Sequence, residues 1–267
     1  MSERVLIDIK EGIAQVRLNR PDKLNALDPD LLHALIEAAA GLAASTGLRA
    51  VVLTGEGRSF CAGLDFASFA AMAKSGGEMP FDPFGRVPGN PANMVQRAGY
   101  DWRRLPVPVI AALRGHVYGG GLQIALGADI RYAAPDTRLS VMEIKWGLIP
   151  DMSGSQTLRD LVGIDVAKEL TWTGRIVEAK EAKDLGLLTR VCEDPLEDAM
   201  ETAQAIAGRS PHAIRAGKQL FNQAWHGSDS DGLALEESLQ KTLLGWPNQV
   251  EAVMANMQKR EPKFRDV

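Results

Sequence analysis

From about residue 154 to its end the chain carries only helical periodicity, whereas the stretch before it alternates short apolar runs with helical ones. Strands interleaved with helices first, and helices alone last, predict an α/β core with a helical C-terminal extension. Residues 4–9 and 13–18 read as strands joined by a turn at Glu11-Gly12. Asp28 is a good N-cap for a helix from about 29 to 45. Residues 49–54 and 107–113 read as buried strands, and 129–133 and 138–141 as short ones. Helical periodicity then runs near 154–161, 164–172, 179–184, 195–208, 211–226, 231–244 and 247–258. The stretch 66–104 is harder to read, and Ser75 to Pro91, dense in Gly and Pro, is expected to be a mobile loop.

Several classes of function are disfavoured at once. A net charge of −4 leaves no footprint for nucleic acid or an anionic membrane. Cys61 and Cys192 are far apart and the four histidines are scattered, so neither a disulfide framework nor a metal-ligand spacing is expected. The N-terminus lacks the apolar run of a signal peptide, and Val107 to Leu113 is far too short to span a bilayer. A cytoplasmic location is the expectation.

Two Gly-rich turns follow buried strands. One is Ser59-Phe60-Cys61-Ala62-Gly63-Leu64-Asp65, where small residues let backbone come close to a ligand. The other is Tyr118-Gly119-Gly120-Gly121-Leu122-Gln123, which opens a helix whose first N–H groups have no internal partner. Two such turns can aim N–H donors at one developing oxyanion. Either turn alone is more often plain tight packing.

Taken together with other segments, these turns resemble the crotonase (enoyl-CoA hydratase/isomerase) superfamily over essentially the whole chain. The resemblance is carried in order by Leu18 to Pro21 with Lys23 to Leu27, Ser59 to Asp65, Pro108 to Ala112 with Gly119 to Gly121, Glu143 with Gly147 to Pro150, Leu170 to Arg175 with Ala182 and Gly186-Leu187, and Lys263 to Arg265. It implies a spiral of ββα units over residues 1–195, carrying the CoA and catalytic site. It also implies a helical region over 196–267 that builds trimers, often paired into hexamers. Leu64 and Gly120 would supply the two oxyanion N–H groups, Ala62 and the backbone near Lys23, Leu24 and Ala26 would hold CoA, and Asp65 is counted with these CoA and substrate contacts, although it also reads as capping a helix or ordering that loop. Phe264 and Arg265, from a neighbouring subunit, would contact CoA. The implied partner is an acyl-CoA substrate, with no metal and no cofactor beyond the coenzyme A that arrives as part of it.

Hydratases of the family place two glutamates around the water. Glu143 occupies one of those positions, but Gln123 occupies the other. Gln can donate and accept hydrogen bonds but cannot act as a base at neutral pH, which puts a two-glutamate mechanism in doubt. Asp151, eight residues after Glu143, matches the spacing of an aspartate used by dienoyl-CoA isomerases of the family, and it also reads as a helix N-cap. If Glu143 is buried among Met142, Ile144 and Trp146, its pKa should rise. The resulting expectation is a hydratase or isomerase that stabilises a thioester enolate with Glu143, Asp151 and Gln123 in its site. A non-catalytic acyl-CoA binder, thioester hydrolysis and decarboxylation stay open. His116 and Cys61 are expected to pack rather than react.

Overall fold

The structure is a computed structural model that describes residues 3–74, 76 and 81–267. Its strands are β1 (Val5–Lys10), β2 (Ile13–Leu18), β3 (Ala50–Gly55), β4 (Val109–Leu113), β5 (His116–Tyr118), β6 (Ile130–Ala133), β7 (Arg138–Ser140), β8 (Val177–Glu178) and β9 (Arg190–Val191). Its helices are α1 (Pro29–Ala43), α2 (Phe66–Lys74), α3 (Met94–Arg104), α4 (Gly120–Leu126), α5 (Gly154–Leu158), α6 (Ile164–Thr173), α7 (Ala179–Leu185), α8 (Pro195–Ala207), α9 (Pro211–Ala224), α10 (Asp229–Leu243) and α11 (Pro247–Gln258).

A sheet in the order β1-β2-β3-β4-β6-β9 runs through the molecule, antiparallel between β1 and β2 and parallel from β2 onward. Alternate residues of its central strands feed two different cores, as the period-2 geometry of a strand requires. Val51, Leu53, Val109 and Ala111 share a cluster with the apolar side of α1, whereas Ala50, Val52, Ile110 and Ala112 pack against Ala199 and Ala203 of α8. By packing, α8 therefore belongs with the sheet, although it lies almost wholly beyond the expected division at residue 195. The α/β class expected from the sequence is what the chain adopts.

A second sheet, β5-β7-β8, is lengthened by two isolated bridges, Cys61 with Val117 and Leu27 with Leu64. β2, β3, β4 and β6 thus each run on through a loop into the small sheet, whereas β9 leads into α8. Both Gly-rich turns lie on these runs, past the carboxyl ends of β3 and β4, where ligands commonly bind in parallel sheets.

Most expected elements are present, including the Asp28 cap, whose carboxylate accepts from Leu31 N–H at 2.8 Å. The differences lie in 66–104, where α2 and α3 form, and in the short strands β5, β8 and β9, the last two within the stretch expected to hold helices alone. α3 starts at a reciprocal cap in which Asn93 and Gln96 side chains each accept from the other's backbone N–H at 2.9 Å. Of the expected loop, Ser75 and Gly77–Pro80 lie outside the described residues.

Asn25 fastens the first motif to the second. It is fully buried and in the left-handed region at φ 54°. Its Oδ1 accepts from Arg20 N–H at 2.8 Å, and its Nδ2 donates to the carbonyls of Glu56 and Ser59 at 2.9 and 2.8 Å. Asn25→Ala strands these three backbone groups and is expected to cost about 2–4 kcal/mol. Urea denaturation checks this, and an unchanged midpoint would contradict the stapling role.

Candidate active site

The two Gly-rich turns lie side by side. Cys61 N–H donates to His116 O and Tyr118 N–H donates to Cys61 O, both at 3.0 Å, so the segments run in parallel register. Beyond the Cys61–Val117 pair the two segments carry Leu64 and Gly120, the residues expected to supply the N–H groups. Neither the Leu64 nor the Gly120 N–H has a hydrogen-bond partner among the described residues. Both belong to groups that folding normally pairs, and Gly120 is also the first residue of α4, where the helix dipole favours negative charge. A Cβ on Gly120 would sit 2.7 Å from Met152 Sδ and 2.8 Å from Leu27 Cδ1, so any larger residue there must push these side-chain ends aside.

Gln123 is one turn further into α4 and is buried. Its Oε1 accepts from the N–H groups of Met152 and Gly154 at 2.8 and 2.9 Å. That fixes which end of the amide is oxygen. The Nε2 end must then point the other way, and it donates to Glu143 Oε1 at 2.6 Å. Gln123 thus holds Glu143 and has no lone pair free for a base's work. Gly154 is needed for this approach, since a Cβ there would come within 2.8 Å of Gln123 Oε1.

Glu143 begins a single 3₁₀ turn, Glu143–Trp146, just beyond β7. Its other oxygen, Oε2, is buried without any partner among the described residues. Burial pushes the carboxyl above its ordinary value, hydrogen bonds from its own backbone and Gln123 pull it partly back, and the charge of Asp151 adds to the rise. The rise was expected from Met142, Ile144 and Trp146, but Ile144 and Trp146 point outward, 41% and 52% exposed. The burial comes instead from across the chain, with Gln123 in contact and Gly119 close enough that a Cβ on it would lie 3.5 Å from Glu143 Oε1.

Asp151 opens to solvent on one side, while burial on the other pushes its pKa up against the pull of its own backbone N–H. It caps no helix: α5 begins at Gly154, after Ser153, and has no side-chain cap. Glu143 and Asp151 are two carboxyls coupled by charge.

A raised carboxyl pKa has a stability consequence with a definite sign. The folded state binds the Glu143 proton more tightly than the unfolded state, so its contribution is fully present below the ordinary value of 4.5 and is lost as pH rises through the raised one. Glu143→Gln is therefore expected to unfold at higher temperature than the parent near neutral pH, with the difference shrinking toward pH 4.5. Melting curves across that range check it, and a parent-like midpoint at every pH would contradict the burial.

The remaining sequence candidates divide. Ala62 N–H donates to Leu24 O at 3.0 Å, which brings the Lys23–Leu24–Ala26 turn against the first Gly-rich turn. The Ala62 carbonyl has no partner among the described residues, and Lys23 is exposed beside this turn. The Asp65 carboxylate, by contrast, is already engaged. Burial opposes its ionisation, but bonds from Ser68 Oγ and N–H and the Arg20 guanidinium at 2.8 Å outweigh it and hold the pKa at about 2. Its geometry orders the loop and starts α2. Phe264 and Arg265 are not brought to this place by their own chain. Asn248 grips the Arg265 backbone at 2.8 and 2.9 Å, and Asp266 pairs with Arg49 at 2.6 Å, at the opposite end of β3 from the Gly-rich turn.

Cys61 is fully buried and its thiol is pushed up to about 12 by burial, so it packs rather than reacts. His116 shares a hydrogen bond with Ser59 Oγ at 3.0 Å. Asn25, Arg20 and Met152 were missed as parts of the site. The first two lie inside the quoted motif as polar residues among apolar ones, whereas nothing in the sequence marks Met152. Among the described residues, no group of three His, Cys, Asp or Glu is placed to hold a metal ion.

A family model described as enoyl-CoA hydratase/isomerase matches residues 8–267. The chain belongs to the enoyl-CoA hydratase/isomerase family. It is 31% identical over 266 residues to the protein named "Probable enoyl-CoA hydratase echA8" of Mycobacterium tuberculosis, covering 98% of each. The crystal structure of an enoyl-CoA hydratase from Bacillus anthracis overlays with a TM-score of 0.85 at 30% identity, covering 98% of both chains. That of an enoyl-CoA hydratase from Mycobacterium tuberculosis overlays at 0.86 with 28% identity, covering 99% of both. As a member of this family the chain is an acyl-CoA enzyme. Among the described residues no helix is long and apolar enough to cross a membrane.

Proposed function

We propose that the protein moves protons on an unsaturated acyl-CoA thioester through an enolate. The carrying observation is the Glu143 carboxyl: one oxygen is held by Gln123, the other is buried without a partner among the described residues, and the pKa is raised by burial. Buried unpaired polar atoms are rare and call for a ligand or a catalytic task. In this reading the thioester carbonyl lies between the N–H groups of Leu64 and Gly120. Glu143 takes a proton from the α carbon, the electron pair moves onto the carbonyl oxygen, and the two N–H groups hold that oxyanion. The proton is returned at the γ carbon by Glu143 or by Asp151, so the double bond has migrated. Gln123 is a positioning residue. Ala62, Lys23, Leu24 and Ala26 hold the CoA moiety, and Phe264 and Arg265 reach it from a neighbouring subunit. The exposed apolar residues Phe221, Trp225, Leu233, Leu244 and Met257 in and beside the last helices support association with further copies, in this reading as a trimer.

Isomerisation is favoured over hydration because Gln123 cannot serve as a second proton-moving group. Hydration needs one group to aim the water and another to move protons, and an amide whose oxygen already accepts two N–H groups can take no proton. Proton NMR of the products from 2-enoyl-, 3-enoyl- and 3,5-dienoyl-CoA tests this. Double-bond migration without a 3-hydroxyacyl product is expected. A 3-hydroxyacyl-CoA as the main product would contradict it.

A related expectation concerns Gln123→Glu. One carboxylate oxygen would keep the Met152 and Gly154 N–H groups, leaving the other about 2.6 Å from Glu143 Oε1. Two carboxyls so close share one proton. The acid limb of the pH–rate profile is expected to split, with its upper step moved to higher pH. A profile identical to that of the parent would count against the Gln123–Glu143 contact.

A further inference from the structure

Three segments meet at the site, carrying Leu64, Gly120 and Glu143. The first two run side by side through the hydrogen bonds of Cys61 and Tyr118 N–H at 3.0 Å. The helix that Gly120 opens is tied to Glu143 by Gln123 at 2.6 Å. One side of the triangle remains, between the turn that carries Glu143 and the loop that carries Leu64.

Two aromatic rings span that side. Phe66 follows Leu64 by two residues and opens α2, and Trp146 follows Glu143 by three and closes the 3₁₀ turn. Their ring centroids lie 4.1 Å apart with the planes tilted by 33°, so the rings are in direct contact. Lys145 Nζ stands 5.7 Å from the Trp146 centroid and adds a cation–π contact. Neither element is held by a fully buried side chain: the turn Glu143–Trp146 has none, and neither do residues 66–71. An indole that is 52% exposed adds little to the core, so its worth lies in what it joins.

We infer that Phe66 and Trp146 are positioning residues, whose stack ties the Glu143 turn to the Leu64 loop and so fixes the gap between the proton acceptor and that oxyanion donor. The inference rests on the enolate reading above and adds two residues to it. Gln123 grips Glu143 at one oxygen and sets it relative to Gly120, but a single hydrogen bond leaves the turn free to swing about that contact. The stack removes this freedom by setting Glu143 relative to Leu64 as well. Proton transfer is steep in geometry, and a displacement of about 1 Å can cost 10²-fold.

The test measures α-proton exchange of butyryl-CoA in D₂O, calorimetric binding of the same compound, and an NMR titration of the Glu143 carboxyl, assigned by its loss in Glu143→Gln. Trp146→Ala and Phe66→Ala are each expected to slow exchange by about 10–100-fold while butyryl-CoA binds as before. The double variant should be no slower than the slower single one, because the same contact is lost in each. Trp146→Phe keeps a ring and should recover most of the rate. Once the turn is released, water reaches the carboxyl. Its titration is then expected to fall toward 4.5 in both alanine variants, with Asp151, whose charge acts on it, left in place. Exchange at the parent rate in both alanine variants, or a loss confined to binding, overturns the positioning role. The titration needs no turnover, so the two readings fail separately. If the parent exchanges no α proton but the titration falls in both variants, the enolate chemistry falls and the hold on Glu143 stands. If the parent exchanges and both variants match it in rate and titration, the hold falls and the chemistry stands.

Discussion

Glu143→Gln is expected to lower kcat by about 10²–10⁴-fold, the usual worth of a positioned proton-transfer group, and to leave the fold intact. The substituted amide keeps an oxygen that can accept from Gln123 Nε2, so the contact now 2.6 Å long survives. What it loses is the carboxyl's ability to take a proton. Because the parent carboxyl is raised by burial, activity that depends on its ionised form falls as pH drops through a value above 4.5. Steady-state rates between pH 5 and 8, with circular dichroism to confirm folding, check both parts. A variant that keeps parent-like kcat would remove Glu143 from the mechanism. Asp151→Asn gives a useful contrast, since Asp151 is solvent-exposed on one side and lacks the hold that Gln123 exerts on Glu143.

Gly120→Ala keeps its N–H but displaces it, and is expected to cost up to about 10²–10³-fold in kcat, the worth of one oxyanion donor, with a stability loss of about 1–3 kcal/mol from overpacking. The added methyl meets Met152 Sδ at 2.7 Å and Leu27 Cδ1 at 2.8 Å. Both atoms end flexible side chains, so the repacking takes place beside the Met152 N–H that holds Gln123 and the Leu27–Leu64 bridge. Leu64→Ala is the control. Its donor is backbone, so the side chain can shrink with far less effect on kcat. If Gly120→Ala and Leu64→Ala lose similar activity, a backbone oxyanion hole is not what these positions provide.

What was legible in the sequence follows from which interactions are local. The Asp28 cap, the period-2 strands and the helical C-terminal third depend on neighbours a few residues apart, and each formed close to where its pattern placed it. The helix α3 was lost among Gly- and Pro-dense residues, although its Asn93–Gln96 cap is a local signal too. β5, β8 and β9 are two or three residues long and exist only because a partner strand lies beside them. The site shows the same division. Glu143, Asp151, Gln123, Leu64 and Gly120 were named from motif positions. The direction of the Gln123 amide was not legible, because it is set by N–H groups 29 and 31 residues away. The source of Glu143's burial was hidden for the same reason: its neighbours in sequence face outward. Asn25 carries a task that only three-dimensional contacts reveal.

The central claim is that a thioester enolate forms between the two N–H donors and Glu143. Proton NMR of a saturated acyl-CoA in D₂O tests it most directly, since no double bond, water addition or product release intervenes. The parent protein is expected to exchange an α proton for deuterium while the thioester stays whole, and Glu143→Gln is expected not to. A parent protein that binds the thioester and leaves both α protons in place, or that cleaves it instead, would contradict the claim.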